Sequence, residues 1–159
     1  MGVSGIDTTY DMYAISGAGI RISNDNNQLR MRVGDSGGIK TDSQYSWHMQ
    51  KCKATSNSYD TEVGNATDYI QLMDNFGSAD DGEGGSFMYF IGRATGNGSA
   101  GSCQIGGNSF YSGNNDEAVG CALTARYIDP TFVLTQVQIY SNVVNVNVGR
   151  LTLWGISHA

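Results

Sequence analysis

Two histidines, three cysteines and fifteen carboxylates are what this 159-residue sequence offers to chemistry. A hydrolase needs a nucleophile beside a base. His48 lies in "YSWHMQKC", an alternating stretch that predicts a solvent-facing strand position, and His158 lies in the tail. Gly-x-Ser-x-Gly is absent, and no Ser or Cys falls in a strand-to-helix elbow. A glycosidase needs two carboxylates across a sugar cleft. Asp80, Asp81 and Glu83 share one glycine-rich loop and Asp116 and Glu117 another. Acids in such loops are ordinarily solvated, and nothing in their spacing sets a working separation. The sequence therefore predicts no enzyme.

Calcium suits "ADDGEGG" better. Hard cations take several oxygen ligands from a pliable loop, and Asp80, Asp81 and Glu83 are the calcium candidates. The spacing is not that of an EF-hand, and "SNDNNQ" (23–28), which fails the same test, reads as a hairpin turn. "GRATGNGSAG" contains no Gly-x-Gly-x-x-Gly, and neither Gly-Lys-Thr/Ser nor a helix follows it, so it is no phosphate loop. No cofactor is expected. Cys52, Cys103 and Cys121 are odd in number and widely spaced, which argues against a disulfide framework or a zinc site. They read as small hydrophobes kept reduced in a cytoplasm.

The remaining chemistry is aromatic. Tyr59, Phe110 and Tyr111 sit in polar, Gly- and Asn-rich surroundings, where flat amphipathic rings suit a sugar platform or an interface anchor. Trp47 is expected in the core.

The elements that must position these residues are strands. "QLRMRV" (28–33) alternates cleanly, with Leu29, Met31 and Val33 on one face and Arg30 and Arg32 on the other. In 45–52, Tyr45, Trp47, Met49 and Lys51 face one way. Further strands are expected over 11–16, 19–23, 68–73, 86–93, 118–128, 132–141 and 148–156, about nine in all. No segment holds a helical period with a cap, and glycine interrupts most windows. So many strands in one domain spanning 1–159 close into an antiparallel sandwich or barrel. Three stretches read as loops too long for tight hairpins: 77–86, 92–102 and 106–120. They are expected to gather at the sandwich ends and to order on docking.

The net charge of −6 lacks the clustered Lys and Arg that nucleic acid requires. No apolar run approaches the length of a membrane span. The opening "MGVSGIDTTYDMYAIS" has no basic region followed by an apolar stretch, so no secretion signal is expected.

The closing segment "LTQVQIYSNVVNVNVGRLTLWGI" carries Leu134, Val137, Ile139, Gly149, Leu153, Trp154, Gly155 and Ile156 in a strand, turn, strand pattern. It resembles structural proteins of tailed bacteriophages, in which a strand I-x-x-I-x-I/L and a polar turn precede G-x-x-x-L-Y/W-G-I. "TYDMYAISGAGIRISNDNNQLRMRVGDSGGIKTDSQY" is similar to the Tyr-x-x-Tyr, turn, L-x-x-R, Gly-Gly, Tyr course of such virion proteins. The similar stretches leave 53–117 unmatched, and Trp154 stands where Tyr is commoner. The resemblance implies a jelly-roll-like β-sandwich with little or no helix, its last strand hydrogen-bonded to 132–141. It also implies a non-enzymatic virion protein assembled in the host cytoplasm. The expected role is an outer capsid decoration (cement) protein, self-associated as a trimer on the major capsid protein. The alternative is a carbohydrate-binding receptor module of a phage tail, reading host glycan through Tyr59, Phe110 and Tyr111.

Overall fold

Alternation of side chains sets the faces of each strand, and hydrogen-bonded register then sets the neighbours. The computed structural model describes residues 1–7, 9–77, 83–93, 102–114 and 116–157. Among these there are twelve strands and no helix. In chain order they are β1 (Gly2–Ser4), β2 (Met12–Ile22), β3 (Asn27–Asp35), β4 (Gly38–Ile39), β5 (Tyr45–Lys53) and β6 (Ser58–Thr67). There follow β7 (Ile70–Phe76), β8 (Gly85–Arg93), β9 (Ser102–Ser112), β10 (Ala118–Ile128), β11 (Gln136–Ser141) and β12 (Val146–Ile156). Two antiparallel sheets pack face to face as a β-sandwich. The larger runs β12-β2-β8-β9-β10-β5-β6; the smaller runs β1-β11-β3-β4, with β7 also on β3.

The core lies between the sheets. Leu29, Met31 and Val33 of β3 meet Tyr45, Trp47 and Met49 of β5, all buried as their alternation predicts. Three buried tyrosines bring a polar tip into this apolar layer, and the tips find partners. The Tyr45 hydroxyl accepts a hydrogen bond from the Val33 amide at 3.1 Å and donates to the Lys40 carbonyl at 3.0 Å. Tyr127 donates to Asp42 at 3.0 Å, and Tyr111 accepts from the Asp74 amide at 3.2 Å. Burial pushes all three phenols up.

Several expectations need correcting. The stretches 11–16 and 19–23 are one strand: β2 continues through Gly17-Ala18-Gly19 by a bulge, its register on β8 slipping between Gly17 and Ile20. Gly19 stands at φ 58°, a conformation glycine adopts without strain. The region 106–120 is not a loop. Ser102 to Ser112 pair in unbroken register with Ile128 to Ala118, leaving a short turn between. Glycine hid this strand, and its reason is steric: a Cβ on Gly107 would lie 2.1 Å from the Met88 carbonyl oxygen. β6 was hidden for a different reason. Its inward residues are Asp60, Glu62 and Gly64, which face Lys51 and the Trp47 ring, so it shows no apolar alternation. β11 starts only at Gln136, because Phe132 and Leu134 are buried in one phase and Val137 and Ile139 in the other. Of the loops expected at 77–86 and 92–102, residues 78–82 and 94–101 lie outside the described residues.

The last strand is also not paired to 132–141. β12 lies on β2, with Leu153 opposite Ile15 and Trp154 opposite Ala14. β11 belongs to the other sheet, between β1 and β3. The polar turn at 142–145 thus carries the chain across the sandwich instead of closing a hairpin.

Burial separates the thiols. Cys103 is pushed up to about 12 and Cys121 is also raised, both by desolvation, whereas Cys52 is exposed. Iodoacetamide on native protein is expected to modify Cys52 alone, with all three cysteines reacting after denaturation, as read by intact mass. Rapid native labelling of Cys103 would contradict the packing.

Candidate functional site

The sheets present very different outer faces. On the smaller one, polar groups close on each other: Arg30 stacks 3.7 Å from the Tyr69 ring centroid, and Arg32 lies over Tyr140 while pairing with Asp68. The larger sheet instead turns apolar side chains outward. Register lines them up in rows. Trp154 lies opposite Ala14, Ala14 opposite Phe90, and Phe90 opposite Gly106; further along, Thr124 faces His48 and His48 faces Val63. In the adjoining rows stand Met88, and then Phe110 and Tyr59. Trp154, Phe90, Met88, Val63, Phe110 and Tyr59 are all exposed large hydrophobics. No carboxylate occupies an outward strand position of this sheet among the described residues; its charged positions there are Arg21, Arg126 and Arg150.

Glycines cut troughs into this face. One of about 610 Å³ runs over Gly92 and Gly106, between Met12, Phe90 and His48. A second of about 460 Å³ lies between Phe110 and Tyr59. The Phe110 ring forms the ridge between this second trough and a third toward Ser86 and Gly19.

The two edges of the sheet differ as well. β6 is guarded: Glu62 and Asp60 point inward to Lys51 and Lys53, and a register slip follows at Ser46, with Ala66 at φ 54°. Inward charges and bulges are the usual protection against strand addition. β12 has neither over 150–156, where Leu151, Leu153 and Gly155 face inward and register with β2 is unbroken.

Of the three aromatic candidates, the fold brings two together. Tyr59 and Phe110 stand on one row, separated by Cys52 and Gly120. Tyr111 is a correction: as the next residue along β9 it points the opposite way, is 6% exposed, and packs edge-on to Phe76 at 5.7 Å. It is a core residue. Trp47 is in the core as expected, its ring covering Gly64, where a Cβ would lie 2.2 Å from Nε1.

The other candidates do not converge. His48 is exposed, flanked across the strands by Thr124 and Val63. Glu117 accepts hydrogen bonds from the Ser56 amide and hydroxyl, tying the β9–β10 turn to the β5–β6 turn. Asp80, Asp81 and His158 lie outside the described residues, so the calcium reading of Asp80, Asp81 and Glu83 has no geometry here. Among the described residues no group of three metal-binding side chains occurs.

One titratable cluster was not expected. Lys51, 4% exposed, pairs with Glu62 of β6 and lies 3.3 Å from Asp74 of β7, so it links the two sheets. Gln71 donates to Glu62 and Gln28 to Asp74. Desolvation pulls the ammonium down, but the two carboxylates outweigh it and its pKa is raised. A nucleophilic lysine needs the opposite shift. The cluster is a structural tie.

No protein-family model matches this chain, and no curated protein matches it. Function must then be argued from the surface. The outward apolar residues were legible in part: 86–93 is apolar at both parities, which marks a strand with two apolar faces.

Proposed function

We propose that this chain is a non-enzymatic structural subunit of a tailed-bacteriophage particle, an outer capsid decoration protein that self-associates as a trimer and seats on the major capsid protein. The supporting observation is the apolar stretch of Trp154, Phe90 and Met88, exposed beside the open edge of β12. Contiguous apolar surface of this kind marks an interaction site, and an unguarded edge strand adds hydrogen-bonding groups to it. A stable interface buries about 1,200–2,000 Å² in total, which a sheet face and its edge can supply together. The particle itself comes from the resemblance of 9–45 and 134–156 to virion proteins.

Quantitative mass spectrometry of purified phage particles tests the assignment. Hundreds of copies per particle are expected. A few to some tens would move the subunit to the tail, and none would end the reading. For the isolated protein, light scattering is expected to give a trimer mass, and Trp154→Lys to shift it to a monomer with the parent's far-ultraviolet circular dichroism.

A further inference from the structure

We infer that the trough between Tyr59 and Phe110 is a binding site for a neutral oligosaccharide. Phe110 lies opposite Gly120, Gly120 opposite Cys52, and Cys52 opposite Tyr59. The two rings therefore stand three strand spacings apart, about 14 Å between their backbones. Nothing tall intervenes, because Gly120 has open space where a Cβ would be. The trough encloses about 460 Å³, inside the usual range of ligand sites. Its walls are wet-side aromatics: Tyr59 is 80% and Phe110 61% exposed.

The polar lining decides the ligand class. Gln50, Thr61 and Asn108 line the trough, all exposed, and among the described residues none of their side chains hydrogen-bonds to another protein group. They offer two carboxamides and a hydroxyl, each both donor and acceptor. Lys51 and Asp60 also line the trough, but both charges are already paired, Lys51 with Glu62 and Asp74 and Asp60 with Lys53. An anionic ligand would need an unpaired cation in the trough. A protein partner would favour a dry apolar centre with polar groups at its rim, whereas here a polar row of Asn108, Gln50 and Thr61 runs directly alongside the two rings. A pyranose chain matches the arrangement, with C–H faces for the two rings and hydroxyl edges for the amides. The site is separate from the β12 side of the sheet, so its failure would leave the structural role untouched.

The test uses the full chain and a panel of neutral tri- to hexasaccharides of glucose, galactose and N-acetylglucosamine, screened by saturation-transfer NMR. At least one member is expected to bind. Tyr59→Ala and Phe110→Ala should each weaken it about tenfold or more, while the melting temperature, measured on the same samples, stays put because both rings are exposed. Tyr59→Phe should retain most of the affinity. Cys52 on the trough floor gives an independent readout: saturating sugar should slow its alkylation. No binding from any member at millimolar concentration, unchanged affinity in the double alanine variant, or an unchanged Cys52 rate would each overturn the assignment.

Discussion

Replacing Lys51 with alanine is expected to destabilise the sandwich by about 3 kcal/mol, the low end of what breaking a buried ion cluster costs. The low end applies because Glu62 keeps 29% side-chain exposure, whereas Asp74 keeps 16%. The loss comes less from the missing attraction than from two carboxylates left facing each other in a partly dry site. Denaturant titration measures it. An unchanged unfolding midpoint would mean that the cluster contributes no net stability.

The parent protein has an alkaline limit of the same origin. Lys51 has a raised folded pKa, so its stabilisation is complete below the ordinary lysine value and lost as pH rises through the folded one. Buried Tyr45, Tyr89, Tyr111 and Tyr127 act in the same direction, since burial raises each phenol and only the unfolded chain ionises near pH 10. Stability is expected to fall steeply above about pH 10. In the Lys51 variant the tyrosine part of that fall should persist.

Ending the chain after Gly149 is expected to have an equal or larger effect. It removes seven residues paired in unbroken register with β2, from Arg150 opposite Ala18 to Ile156 opposite Met12. Leu151 and Leu153 are only partly buried against the core, so together they account for about 2–3 kcal/mol. Cross-strand pairs add a few tenths each, about 4 kcal/mol in total. For a domain of this size that lowers the melting temperature by roughly 10 °C. It also bares the β2 edge, and aggregation should follow. Trp154 contributes little to this loss, because it points outward and is 44% exposed. Trp154→Ser in the full chain should therefore leave the stability of the dissociated subunit nearly unchanged. A shortened protein that melts with the parent would contradict the β2–β12 pairing.

What the sequence determined by itself is what a period of two can carry. Leu29, Met31 and Val33, and Tyr45, Trp47, Met49 and Lys51, each share a face in the order of the residues, and the structure buries every one. Strand class, the absence of helix among the described residues and the sandwich follow from the same alternation and from glycine punctuation. Parity also separates Phe110 from Tyr111, but only once 102–112 is known to be a strand, and Gly106-Gly107 concealed that. Tertiary structure alone decided who pairs with whom. Backbone hydrogen-bonding groups are identical along every strand, so nothing local tells β12 to lie on β2 rather than on β11. Tyr59 and Phe110 are 51 positions apart in the chain. They meet on one row only because β9, β10, β5 and β6 are successive neighbours in register, a non-local arrangement selected by burial of the opposite faces of those strands.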